Sequence, residues 1–197
     1  MRTLRWAWPA LLLAALVLVP RAMYAFRERT PLRVVVLDKT VPFRLWLEHR
    51  SLFWAMRALG VVKPDGAPYA WETDYLGAHP PPKPGDPPER TRDLTPEDVR
   101  RADLVYLADT YGVYRDDLKS GEKMLAALER SPKVYGGLEG AEARAAEEYA
   151  RGGGLLVSEF NTLASPTADE PREILERTLG VRWTHWIGRF FPELDSV

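Results

Sequence analysis

The sequence predicts an α/β fold of three layers, with a mostly parallel sheet between helices, preceded by an N-terminal transmembrane helix. Three observations carry this reading. The continuous apolar runs Val34-Val35-Val36-Leu37, Leu104-Val105-Tyr106-Leu107-Ala108 and Leu155-Leu156-Val157-Ser158 have the pattern of strands buried on both faces, as in a parallel sheet. Helical segments alternate with them. An uncharged stretch from Trp6 to Pro20 sits between Arg2 and Arg5 on one side and Arg21 on the other.

The elements follow in order. Residues 1–27 form a membrane anchor or signal segment, and residues 28–197 a single α/β domain. The small residues Ala22 and Ala25 have Pro20 and Met23 two positions upstream, a poor cleavage site. An uncleaved anchor running from Trp6 to Phe26, with Trp6, Trp8 and Tyr24 near the interfaces, is therefore preferred over a cleaved signal. A buried soluble helix ranks third. The short basic N-terminal tail favours a single-pass protein with its domain outside the cytoplasm. Leu32–Leu37 is expected as the first, central strand. Phe43–Leu59 carries Leu45, His49, Leu52, Phe53, Met56 and Leu59 at helical spacing, with Gly60 as its stop. Val61-Val62 starts a short strand. Residues 64–96 form the least regular part, and the prolines of Pro80–Pro88 predict an exposed extended loop there.

Thr95-Pro96-Glu97-Asp98 is a helix start: a threonine cap, proline at the first helical position and an acid three residues on. The strand Leu104–Ala108 follows, then a loop from Asp109 to Gly112. Beyond it come a helix near Gly121–Arg130, a short strand Lys133–Tyr135, and a helix Glu139–Arg151 stopped by Gly152-Gly153-Gly154. The strand Leu155–Ser158, a helix Pro171–Leu179 and an aromatic tail from Val181 to Phe191 complete the order. It is that of a flavodoxin-like three-layer domain.

Composition removes several functions. The chain contains no cysteine, which excludes disulfides, thiolate catalysis and cysteine-ligated zinc. Residues 1–27 hold four basic residues and no acid, so the domain is net negative and is not built to hold nucleic acid by its field. His49, His79 and His185 are scattered without a metal-binding spacing and read as structural; no cofactor or metal is expected.

Each of the three apolar runs ends on an acid: Asp38, Asp109 and Glu159. Ligands of open α/β sheets bind outside the carboxyl ends of strands, so these carboxylates are expected to share a crevice. Lys39, Thr40, Thr110, Tyr111 and Asn161 lie just beyond them as further donors, and Arg189 is the expected cationic partner of Glu159. Gly136 and Gly137, at a strand-to-helix turn, could let a ligand approach the backbone, although a tight turn explains them at least as well. Asp38-Lys39-Thr40 resembles the aspartyl-nucleophile motif of haloacid-dehalogenase-type phosphatases, but Thr40 stands where that motif needs a second aspartate. Trp183, Trp186, Phe190 and Phe191 could stack on sugar rings, yet their spacing favours cover for the sheet edge.

On the helix ending Tyr149-Ala150-Arg151-Gly152-Gly153-Gly154 before Leu155-Leu156-Val157, and on Ala102-Asp103-Leu104-Val105-Tyr106, the chain resembles the class I glutamine-amidotransferase-like superfamily. The resemblance extends to its trehalose-utilisation-type and membrane-anchored branches. The superfamily's nucleophilic cysteine has its nearest equivalent in Gly137-Leu138-Glu139-Gly140, so thioester hydrolysis of glutamine is excluded. What remains is an expectation of a binding domain for a carbohydrate or cell-envelope component. Its alternatives are a hydrolase, metal-assisted or glycosidase-type, using the strand-end acids, and a scaffold subunit of a membrane complex.

Overall fold

The computed structural model describes residues 4–40, 44–120 and 131–186. The expected helix at Gly121–Arg130 and the residues Arg189, Phe190 and Phe191 lie outside them.

The chain is a mixed α/β protein with a mostly parallel central sheet and an N-terminal apolar helix. That helix, α1 (Leu4–Ala25), contains Trp8–Ala25, long and apolar enough to cross a membrane, and none of this span is buried against the domain. Full exposure is incompatible with the core helix of a soluble fold. Pro9 and Pro20 lie within it.

The central sheet is built on β2 (Val34–Asp38), flanked by β4 (Leu76–His79) and β6 (Leu104–Asp109). β9 (Leu155–Ser158) extends it beyond β6, and β5 (Arg90–Arg92) closes the other edge as its one antiparallel member. Taken in chain order, the four parallel strands stand second, first, third, fourth. The order therefore reverses between β2 and β6. Val34, Val36, Tyr106 and Ala108 pack on Phe53 and Met56 of α2 (Leu47–Leu59). From the other face, Leu37, Val105 and Leu107 pack on Val99 of α3 (Pro96–Arg100), Ala143 of α5 (Gly140–Arg151) and Ile174 of α6 (Asp169–Leu179). Alternation along each strand thus sends one set of side chains to α2 and the other to α3, α5 and α6.

The Thr95 cap forms as expected: Thr95 and Asp98 make a reciprocal capping box at the start of α3. Three expectations need correction. Residues 64–96 are not wholly an irregular loop, because β4 lies there, buried at every position and paired parallel to β2. Leu76-Gly77-Ala78-His79 lacks β-branched residues, so strand propensity gave no sign of it. Lys133–Tyr135 forms β8 but stays out of the main sheet; it pairs antiparallel with β7 (Val113–Tyr114), which leads into α4 (Arg115–Ser120). Trp186 covers nothing among the described residues and is exposed.

The junction of α1 with the domain is specific. β1 (Thr30–Pro31) pairs parallel with β3 (Val61–Val62). The Arg27 guanidinium donates to the carbonyls of Arg57 and Ala58 at the end of α2, completing groups that a helix C-terminus leaves open. Gly60 takes a positive φ of 80°, and a Cβ there would lie 2.8 Å from the Glu28 carbonyl oxygen.

Candidate functional site

The carboxyl edge of β2 and β6 gathers the predicted residues, and most of them are already occupied by one another. Asp38 and Asp109 are paired in register and buried. Asp38 Oδ1 accepts from the Thr40 amide at 2.9 Å, and Oδ2 lies 2.6 Å from His49 Nδ1. His49 Nε2 faces the Trp71 carbonyl at 2.9 Å. With both ring nitrogens facing oxygens, the Asp38–His49 pair needs two protons: one on Nε2, one shared with the carboxyl. Asp109 Oδ1 accepts from the Tyr111 amide at 2.6 Å, and Oδ2 receives the Asn161 side-chain amide at 3.3 Å. The Thr40 hydroxyl accepts from the Gly112 amide, and Thr110 is tied to Thr167 and to the Asn161 carbonyl.

Lys39, only 1% exposed, points to the opposite face. Its ammonium donates to Glu142 Oε2 at 2.6 Å and to the Gly137 carbonyl at 3.1 Å, and pairs with Asp93 Oδ1 at 2.9 Å. All three donors of the ammonium are therefore engaged. Glu142 also accepts from the amides of Leu94 and Glu139, at 2.9 and 2.8 Å. Burial pushes the Glu142 carboxyl up, against Lys39 and these two amides. Burial acts in the same upward sense on Asp93, but hydrogen bonds from Tyr135 and Lys39 outweigh it and hold that carboxyl low. Burial and the neighbouring Asp93 push the Tyr135 hydroxyl far up, so it donates to Asp93 at 2.6 Å.

Gly136 and Gly137 are required by protein contacts. A Cβ on Gly136 would lie 2.2 Å from Gly112 Cα, and one on Gly137 2.9 Å from the Pro166 carbonyl oxygen. Both take positive φ. The amides ahead of α5 also have partners: Glu139 reaches Glu142, and Leu138 reaches the Thr167 hydroxyl.

Among the described residues, the predicted ones accessible to solvent are Tyr111, Glu159 and Asn161. The Tyr111 ring packs at 5.4 Å from Tyr114. The Glu159 amide continues the ladder to the Leu107 carbonyl, and the Tyr106 hydroxyl is pushed up by burial and then by the neighbouring Glu159 carboxylate. The expected pairing of Glu159 with Arg189 lies outside the described residues.

Sequence reasoning missed an open cleft beside this edge. A cavity of about 490 Å³ at the carboxyl end of β4 is lined by Arg44, Trp46, Glu72, His79, Glu89 and Arg90, together with Thr73 and Pro80. Trp46 precedes α2 in a left-handed conformation, φ 48°, which costs a non-glycine residue strain. Its indole N–H is buried beside the Tyr75 hydroxyl without a well-directed hydrogen bond. His79 Nε2 lies 2.8 Å from Arg90 Nη2 and 3.3 Å from the Tyr75 carbonyl oxygen. The His49 ring packs tilted on Tyr75 at 4.4 Å and Tyr75 stacks on His79 at 4.1 Å, joining the buried Asp38 pair to the cleft. One sign was present in the sequence: His49 stands on the apolar face of its helix, where an imidazole needs a buried partner.

Burial, and then Arg90, hold His79 below its usual value. The unfolded chain takes up this proton near pH 6.5 while the folded chain resists it. Stability should therefore be fully present above that pH and fall as pH drops towards the lowered folded value. Urea unfolding at a series of pH values checks this, and His79→Gln, which keeps an acceptor for Arg90, should flatten the slope.

Among the described residues, no group of three or more His, Asp or Glu is arranged to hold a metal ion. No protein-family model, curated protein or solved structure matches the chain.

Proposed function

We propose that this protein is a membrane-anchored binding module whose domain stands outside the cytoplasm and holds a carbohydrate or other polyhydroxylated envelope component. One observation carries the reading: the cleft of Arg44, Trp46, Glu72, His79, Glu89 and Arg90 at the carboxyl edge of β4. It combines guanidinium donors, carboxylate acceptors and an aromatic edge, the set that hydroxyl-rich ligands need. Asp38 and Asp109 are 0% and 1% exposed, with their oxygens engaged, which favours binding over hydrolysis by that pair. The strand order second, first, third, fourth supports a flavodoxin-like arrangement, with the cleft one strand from the reversal point. It also agrees with an amidotransferase-like layout that lacks the nucleophile. For the anchor, the support is the exposure of α1 together with the Tyr24 and Arg27 contacts to α2. Cleavage after Ala22 or Ala25 would leave Arg27 on an unsupported chain end.

The test is a thermal-shift screen of the full chain in neutral nanodiscs against soluble saccharides, nucleotides and divalent cations. The expected result is a raised unfolding midpoint with one saccharide class and none with cations alone. Stabilisation by nucleotides or divalent cations only, or turnover of a glycoside, would overturn the reading.

A further inference from the structure

A second cavity, of about 460 Å³, lies at the foot of α1. Its wall includes Tyr24 and Ala25, the last residues of the apolar helix, and Arg27, Arg29 and Arg57, with Tyr69 and Trp71 opposite. We propose that it receives the phosphodiester headgroup of an anionic phospholipid such as phosphatidylglycerol. This proposal rests on the membrane-anchor reading given above, and is independent of the ligand proposed for the cleft at β4.

Three features of the cavity fit that occupant. Its depth is set by the helix: if α1 spans the bilayer, the residues that end it lie where the headgroups begin. Its charge is complementary, since three arginines line it against one acid, Glu72. These arginines are not equivalent. Arg27 is committed to the end of α2 and stacks over the Tyr24 ring at 3.9 Å, so it forms a fixed wall. Among the described residues, Arg29 and Arg57 have no acidic partner, which leaves two guanidinium groups for a phosphate. The remaining wall is aromatic. Tyr24, Tyr69 and Trp71 are side chains with an apolar body and a polar tip, suited to the boundary between acyl chains and water. Because β1–β3 pairing and Arg27 fix the domain to the helix, a bound headgroup would hold the whole domain at a defined attitude to the bilayer.

The experiment places the full chain in nanodiscs of phosphatidylcholine alone and of phosphatidylcholine with phosphatidylglycerol, and follows the unfolding midpoint of the domain. Phosphatidylglycerol should raise the midpoint by a few degrees, added salt should diminish the rise, and the double variant Arg29→Gln, Arg57→Gln should lose it while unfolding normally in the neutral disc. Inorganic phosphate added to neutral discs should produce no such rise; a rise of equal size would mean a site for free phosphate and overturn the lipid assignment. An identical response of wild type and double variant, or no response to phosphatidylglycerol, would also overturn it. Carbonate washing of neutral vesicles separates the two readings. A chain stripped from them sinks the anchor and the lipid site together; a chain retained without lipid dependence sinks the lipid site alone.

Discussion

Replacing Lys39 by methionine should destabilise the protein by about 3–5 kcal/mol, the usual result of stranding a buried charge. The ammonium is 1% exposed and its partner Glu142 equally so, and it joins the end of β2 to α5, to the Gly137 carbonyl and to Asp93. Its loss leaves the buried Glu142 carboxyl, which burial already pushes up, with only two backbone amides to stabilise a charge. Glu142→Gln in the same background should recover part of the stability, because it removes the uncompensated carboxylate; its one amide oxygen keeps only one of the two bonds that the carboxylate oxygens accept from Leu94 and Glu139. Urea unfolding of the wild type, both single variants and the double variant gives the coupling directly. A coupling of about 2 kcal/mol is expected; additive effects would show that the pair does not act as a unit.

Gly77→Ala should cost about 3 kcal/mol or more, from left-handed strain together with overpacking. Gly77 sits in β4 opposite Asp38 with φ 114°, and a Cβ there would lie 1.8 Å from the Asp38 carbonyl oxygen. Neither strand can yield without moving the Asp38–His49 pair on one side and His79 with Arg90 on the other. Gly66→Ala is the control. Gly66 also has positive φ, 84°, but nothing lies within 4 Å of its added Cβ, so only the backbone penalty of about 1 kcal/mol remains. Equal losses at the two positions, measured by chemical denaturation, would remove the close approach as the cause.

The same two residues show what was legible in the chain. β2 and β6 could be read because unbroken apolar, β-branched runs admit little else. β4 could not: its glycine is demanded by a carbonyl from a strand some 40 positions earlier, and local propensity carries no trace of that contact. Lys39 read as a ligand donor because it follows a strand end. Its partner is 103 residues away on a helix rich in glutamate, where composition does not reveal which carboxylate turns inward. Topology brings Asp38 and Asp109 side by side at the reversal point, as the strand ends suggested, while the engagement of these side chains with their neighbours was not visible. The cleft escaped notice because its lining comes from the segment after β2, the turn before β4, the end of β4 and the start of β5, four stretches that share no motif.

The central claim, that ligand enters the cleft at β4 and not the packed crevice at β6, is tested most directly by equilibrium binding of the saccharide that gives the largest thermal shift. The wild type, Arg90→Gln and Asn161→Ala are compared as full chains in neutral nanodiscs. Loss of a charged donor at the cleft predicts binding weakened by about tenfold or more for Arg90→Gln, with Asn161→Ala unchanged. Binding that survives Arg90→Gln and fails in Asn161→Ala would contradict the account and return the site to the strand-end acids.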